Sequence, residues 1–478
     1  MSFTVGGSTP QLTFADATVQ NTAALPLTGG SVSADITVNG LTVGRGAGAV
    51  STNTAVGASA LAANTSGARN TAVGYQAAYS TTTGFEIDAF GAQALYSNTT
   101  GTENLSVGRN SSYANTTGIR NTVVGISAFS SNSTGSYNTS LGWQSLLNNT
   151  TASNNTAVGY QAGYSNTTGA NNTAVGYQAG YSNTTGIGNI CIGTVTGYSL
   201  TTGSGNVFIG FQPGNYGAGY TTTTGSYNSG VGGGALAFNT TGSYNTANGF
   251  QALFFNTTAS NNTAVGYQAG YSNTTGGSNT VIGNGAAYGI TTGSYNIFIG
   301  FSAGAYSTSI TTGNNNLHIG PNTTGSSASV SNELLISCSG GATGKGASTG
   351  FINPNSGGVY QGNNSAAWSI TSDKRLKKNI VDNTVGLSAI NQIQVRNFEY
   401  RLPEEITELE PANAIAITGV QLGAIAQELK EILPDCVKTE STGVMSVDTT
   451  NLTWHMVNAI KELKAEIDIL KSQLNQGA

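Results

Sequence analysis

Apolar and polar positions along this chain keep a fixed bar of 17 residues. The stretch NTAVGYQAGYSNTTG occurs at Asn155, Asn172 and Asn262, with looser copies around it. The glycine of its AVG element recurs at Gly57, Gly74, Gly91, Gly108, Gly125, Gly142, Gly159, Gly176, Gly193 and Gly210, each step being 17 residues. After five extra residues the series resumes at Gly232, Gly249, Gly266, Gly283 and Gly300, and after three more it ends at Gly320. Within each of the 16 copies the residue before the glycine is apolar, Asn248 being the one exception. Asn stands four residues before the glycine in every copy but the third, where Ile87 replaces it. A small residue follows three places after the glycine, as at Ala77, Ala162 and Ala269. NTTG then closes the unit with turn chemistry, its glycine available for positive φ.

Short β-prone stretches separated by turns at constant period predict a mainly β fold: a repetitive parallel β-solenoid, one coil per repeat. Small inward residues let coils approach closely, and the recurrent Asn are expected to stack as a hydrogen-bonded ladder along the axis. NTAVGYQA resembles the NSVAIGxxS repeat of trimeric autotransporter adhesin heads, a likeness covering Asn53 to Gly320. Those heads use shorter repeats and form parallel β-rolls assembled as trimers, so the resemblance implies a homotrimeric β-roll fibre.

Composition sharpens this picture. Charged residues are only 8% of the 478 and Gly numbers 67, yet 38% hydrophobic residues with 21 Tyr and 15 Phe argue against a disordered linker. A net charge of −5 gives no basic footprint for nucleic acid or an anionic membrane. No run approaches the ~18 apolar residues of a membrane span, so no membrane insertion is expected. The start, MSFTVGGSTPQLTFADATVQ, has neither a basic n-region nor an apolar h-region, which predicts no secretory signal. Without that route, the many NTT triplets read as turns rather than glycan acceptors. Cys191, Cys338 and Cys436 lie far apart without CxxC spacing, which suits neither a disulfide framework nor a zinc site; each is expected to be buried. No cofactor and no metal are expected.

The repeats hold little catalytic material. Between Gly46 and Thr371 the acidic residues are Glu86, Asp88, Glu103 and Glu333 alone, and a glycosidase needs two carboxylates flanking one sugar bond; Glu86 and Asp88 share one face of an extended strand. Glu86 and Asp88 read as a solvated pair. His318 fills a position otherwise small or apolar, which favours packing over ligation. Tyr75, Trp143, Tyr160, Tyr177 and Tyr267 all follow the repeat glycine; stacking between coils is favoured over a sugar-binding stripe.

Charge appears abruptly near residue 372. Of 21 acidic residues 15 lie at or beyond Asp373, and of 16 basic residues 11 lie at or beyond Lys374. In WSITSDKRLKKNI, Ser372 and Lys377 are a candidate nucleophile and base. A lysine amine serves as base only when its pKa falls from about 10.4 towards neutrality, through burial or like charges. Five residues span about 500° of helix, so such a pair needs a turn or extended backbone. Taken alone, the segment reads as a solvated basic loop.

The flanking sequence reverses that weighting. Ser372, Asp373, Arg375, Leu376, Lys377, Asn379 and Ile380 match an SDxRLKxNI-like motif. FEYR at Phe398, GAIAQELKEILPDCV from Gly423 and NAIKELKAEIDILKSQL from Asn458 follow in order. From Trp368 to its end the chain resembles the intramolecular chaperone auto-processing domain of endosialidases, phage tail spikes and neck appendages. The acidic insert LPEEITELEPANAIAITG departs from that pattern but touches none of the matched residues. The resemblance implies Ser372 as nucleophile and Lys377 as base of a self-cleaving dyad beside Ser372, with Asp373, Arg375, Leu376 and Asn379 supporting it.

Met456, Ile460, Leu463, Ile467, Leu470 and Leu474, spaced alternately by four and three, predict a coiled-coil helix over 456–474. Ile at a with Leu at d favours dimers in isolation, whereas the family resembled is trimeric. A buried core helix is the other reading of such a seam.

The organisation expected is an N-terminal attachment segment (1–48), a repeat shaft (49–320), a Gly/Ser-rich connector and shaft end (321–371), and an α+β chaperone unit (372–478). As a whole this points to a phage tail-fibre-like homotrimer in the virion. Its N-terminus would meet tail or baseplate proteins, and its shaft a host surface glycan or protein. A cell-surface adhesin with the same repeats is the alternative, and a polysaccharide-depolymerising spike is disfavoured by the scarcity of acids.

Overall fold

The computed structural model describes residues 12–13, 19–20, 35–38, 41–211, 216–354, 359–361, 368–370, 374–410, 415, 417–439 and 443–476. They fall into two compact units, 1–371 and 372–478.

In the first unit each repeat forms one coil with one three-residue strand, as at Thr54–Val56, Thr156–Val158 and Ile297–Ile299. Strands pair in parallel with residues 17 apart opposite one another: Ala157 lies against Ser140 on one side and Ala174 on the other. The result is a parallel β-solenoid of about 17 turns. Extra residues leave the ladder intact, since Val207 still pairs with Ser229 and Ile297 with Leu317. Nor does the stack stop at Gly320. Leu317 pairs with Leu334, and Leu334 with Gly350, before antiparallel strands Val359–Gln361 and Trp368–Ile370. The metre is hidden there because Glu333 stands where Asn is expected and Ser337 where glycine is. At the other end Ile36–Val38 and Leu41–Gly44 add antiparallel strands against the first coil. A turned-back strand at each end gives the parallel edge a partner of its own chain.

The core is narrow and made by volume matching. The middle residue of each strand points inward, as does the residue four places after the repeat glycine. In several coils the first is small and the second large: Ala55 with Leu61, Ala89 with Leu95, Ser140 with Leu146, Ala247 with Leu253, all buried. Where the first is Phe a Gly faces it: a Cβ on Gly219, past the five extra residues, would lie 2.5 Å from the Phe208 ring, and one on Gly304 2.3 Å from Phe298. In the near-identical copies both are small (Ala157 with Gly163, Ala174 with Gly180), and a cavity of about 20 Å³ remains there, lined in part by Leu146, Cys191 and Leu200. That is the room of about one water, and Asn155, Asn166 and Asn183 line it beside these apolar groups. Cys191 is buried here as expected, and burial pushes its thiol up to about 12.

The glycines divide into two kinds. The AVG glycines have φ between +122° and +154°, and a Cβ on them would meet the next coil's backbone, 2.4 Å from the Gly176 carbonyl oxygen in the case of Gly159. Positive φ was expected at the NTTG glycine instead. Gly169 and its equivalents do not use it; a Cβ on Gly169 would sit 2.3 Å from the Gly186 oxygen, so close approach is their constraint. Ala152 and Ala259 occupy that place in two coils, so the approach yields to one methyl group.

The expected Asn ladder is present, twice over. In the first column an Asn Oδ1 accepts from the backbone N–H of the equivalent residue one coil on, as Asn138 Oδ1 does from Asn155 N–H at 2.9 Å, while Asn138 Nδ2 donates to Ala152 O at 3.0 Å. The second column uses the Asn of NTTG. Asn115, Asn132, Asn149, Asn166 and Asn183 each donate from Nδ2 to the Oδ1 of the preceding Asn at 2.7–3.0 Å, beginning with Asn98. This run ends where Leu200 replaces Asn, and the run from Asn239 ends where Ile290 does. The last oxygens, Asn183 Oδ1 and Asn273 Oδ1, are buried without a hydrogen-bond partner.

The second unit is α+β. Helices α1 (Leu387–Ile390), α2 (Ala426–Ile432) and α3 (Thr449–Gln476) accompany two antiparallel pairs, Arg396–Phe398 with Gln421–Gly423 and Val437–Thr439 with Met445–Val447. Its core is small: Leu429, Leu433 and Cys436, with Ile390, Ile393, Val447 and Leu452 packed around them. Asp448 caps α3 by accepting from Thr450 and Asn451 N–H. Glu462 on α3 accepts from Leu387 N–H, and its carboxylate lies 2.4 Å from where a Cβ on Gly386 would sit.

Candidate functional site

Three residues of the second unit's first segment form a single 3-10 turn, Lys374–Leu376, and Lys377 N–H donates to Lys374 O at 3.2 Å. Lys374, Arg375, Lys377, Lys378 and Asn379 are exposed, and Asn379 has φ of 54°. Ser372 and Asp373 lie outside the described residues, as does the Leu376 side chain. The described backbone therefore carries a turn between the two predicted dyad positions, and the Lys377 half alone has a described environment.

The predicted seam falls on one continuous helix. Met456, Ile460, Leu463, Ile467, Leu470 and Leu474 all lie in α3 and are 39–73% exposed, as is Trp454 at 65%. What α3 buries in its own chain is His455 and Ala459. The seam is therefore not a core face of this chain.

His455 was not singled out in the sequence. Its Nδ1 lies 3.1 Å from Val385 O and its Nε2 2.9 Å from Asp435 Oδ2. Burial alone would lower its pKa, but the bonds to Asp435 and Val385 outweigh burial and raise it. Cys436 is buried beside it, its thiol pushed up to about 11 by burial and by the nearby Asp435 and Asp448 carboxylates. The residues are 20 apart on two elements, which is why no spacing rule finds them.

On the shaft, His318 is buried, as its packing role requires, but it is also paired: Nε2 lies 3.2 Å from Glu333 Oε2. Glu333 also accepts from Ser326 and Gly346 N–H. Burial alone would raise the Glu333 carboxyl; these bonds hold it below the ordinary value. Glu86 pairs with Arg69 at 2.8 Å and Glu103 with Arg120 at 2.9 Å, both on the surface, while Asp88 is exposed. Of the aromatics after the repeat glycine, Trp143 stacks on Tyr160 at 4.9 Å, Tyr160 on Tyr177 at 5.2 Å and Tyr267 on Phe250 at 5.6 Å between centroids, while Tyr75, with Ala58 and Ala92 at the same place in the adjoining coils, is 55% exposed. Within these stacks the facing ring surfaces cover one another. The apolar residue before the glycine points outward, with Leu141 44% and Ile192 37% exposed. Cys338, expected to be buried, is exposed: it lies one residue beyond the strand Leu334–Ser337, where the inward alternation has ended. Among the described residues no helix is long and apolar enough to cross a membrane.

Residues 372–438 match the model of the peptidase S74 family, described as the chaperone of endosialidase. The match begins at Ser372 and includes every residue of the predicted dyad motif. No curated protein and no solved structure matches the chain.

Proposed function

We propose that this chain is a homotrimeric, tail-fibre-like attachment protein of a virion, whose C-terminal unit acts as a trimerisation chaperone and releases itself by cleavage beside Ser372. The observation that carries the reading is the family match starting at Ser372, where the compact unit that holds the β-solenoid gives way to the second unit. In this reading Ser372 Oγ attacks a neighbouring peptide carbonyl while the Lys377 amine takes its proton. The departing amine receives that proton, and water resolves the ester. The turn at Lys374–Leu376 is the kind of backbone such a five-residue spacing needs.

The exposed seam of α3 supports assembly. Three copies of it would bury side chains that one chain leaves in water, and Lys464 and Asp468 already pair along its flank. A compact unit that assembles first would align three shafts before slow, non-local β pairing begins. In the assembled fibre, residues 1–48 would dock on tail or baseplate proteins and the shaft would face the host surface.

The test is intact mass and a denaturing gel of the purified wild type, Ser372→Ala and Lys377→Ala. Two wild-type fragments meeting beside Ser372, with single uncut bands in both variants, are expected. An uncut wild-type trimer would remove the peptidase and leave a permanent trimerisation cap.

A further inference from the structure

We propose that Asp435, Cys436 and His455 bind one divalent transition-metal ion, zinc by the chemistry of their donors, fastening α3 to the turn that follows α2. One carboxylate oxygen of Asp435, Cys436 Sγ and a His455 ring nitrogen all lie within 4.8 Å of one another. Asp435 and Cys436 are adjacent on the short 3-10 turn Pro434–Cys436, and His455 sits near the start of α3.

The ring's tautomer gives the site its direction. A carbonyl oxygen only accepts, so the 3.1 Å contact with Val385 O places a proton on Nδ1. In the neutral imidazole Nε2 then carries a lone pair, and it faces a carboxylate oxygen at 2.9 Å. Two acceptors at that distance need a positive species between them, either a second ring proton or a metal ion. A ligating histidine that donates its other N–H to a backbone carbonyl is the usual supporting arrangement of a protein metal site. Nitrogen, thiolate and carboxylate together suit zinc better than calcium or magnesium, which take oxygen. Zinc held at about 2.0–2.1 Å by both groups in tetrahedral geometry would set them about 3.3 Å apart, a few tenths of an ångström beyond the present contact. Asp435 is on the surface and can supply that shift, while His455 and Cys436 are fixed by burial. Asp435 and His455 also line a cleft together with Asp382, Asn383, Asn451, Asn458 and Lys461, from which water or a ligand oxygen would complete the shell.

On binding, the thiol proton and any second imidazole proton leave to solvent, and no redox step is involved. The inference stands apart from the cleavage reading and is read on Ser372→Ala protein, which cannot be cut at the proposed dyad.

The experiment titrates Co²⁺ into metal-stripped, full-length Ser372→Ala, Cys338→Ser protein, so that the exposed cysteine contributes no signal. One cobalt per chain with a thiolate-to-cobalt charge-transfer band, displaced by Zn²⁺, is expected. Cys436→Ser should abolish the band, and Asp435→Asn, an exposed change that leaves the core untouched, should weaken binding at least tenfold. No band in the parent protein, or equal cobalt affinity in the parent and Asp435→Asn, would overturn the proposal. So would nitrogen NMR showing both His455 ring nitrogens protonated in saturating Zn²⁺, which would assign the gap to a proton.

Discussion

Asn149 in the shaft and Leu463 in α3 show how differently the two units hold themselves. Asn149 donates to Asn132 one coil back and accepts from Asn166 one coil on, so its partners are copies of itself. Leu463 is 46% exposed and has no such partner in its own chain's core. The shaft repeats this self-matching coil after coil, but in such a stack the first coil has nothing to pair with and must be started. The C-terminal unit has a core of three fully buried side chains and a long apolar seam in water. One region is rich in internal order and poor in nucleation. The other is the reverse, and the proposed chaperone role joins them for that reason.

The comparison can be broken first at the seam. Under the proposed assembly, Ile460→Asp with Leu463→Asp should abolish oligomer formation in light scattering and leave the shaft unformed in newly made protein, while already assembled shaft keeps its β signal. An oligomer unaffected by both charges would place nucleation in the shaft itself.

Next comes the shaft's backbone. Gly159→Ala puts a Cβ into left-handed backbone and against the Gly176 oxygen, and should cost about 3 kcal/mol or more. Gly169→Ala, at the position where Ala152 and Ala259 already occur, should cost about 1 kcal/mol or less. Thermal melts of the two variants side by side check the order.

A smaller effect belongs to the Asn columns. Asn132→Leu splits a run and leaves Asn115 Oδ1 without its partner, a loss of about 1–3 kcal/mol. Asn183→Leu merely moves an existing orphan oxygen back to Asn166 and should be milder. Equal melting shifts for the two would mean that the ladder contributes little.

The smallest effect is acid sensitivity at the shaft's last coils. Glu333 is held below its ordinary pKa, so its stabilisation is complete above the unfolded value, about 4.3, and is lost as pH falls through the lower folded value. Hydrogen exchange at Leu334–Ser337 should therefore accelerate below pH 4 more than at Thr156–Val158, and Glu333→Gln should remove most of that difference.

Much of the shaft was legible because a repeat prints its contacts sixteen times. The glycine metre, the Asn ladder and the stacked Trp143 and Tyr160 all followed from position alone. The facing of the strand did not: Ala157 and Val158 are both apolar, and only the structure shows which enters the core. The two further coils past Gly320 escaped notice because pairing there rests on Leu334 and Leu335, with none of the marker residues. In the C-terminal unit the motif around Ser372 was readable through family likeness, and the seam through its spacing. His455 and Asp435 were not, since their meeting depends on how α3 folds back onto a turn 20 residues earlier.

The unbroken register of the solenoid also makes its length a counted quantity. At about 4.8 Å per strand, its roughly 17 turns span about 80 Å, and each gain or loss of a repeat changes that reach by one whole increment. The segments at Asn155, Asn172 and Asn262 are identical over 15 residues, so one such unit can replace or follow another without a change of side chain. A lineage carrying this gene can thus lengthen or shorten its reach in integer steps without redesigning a single contact.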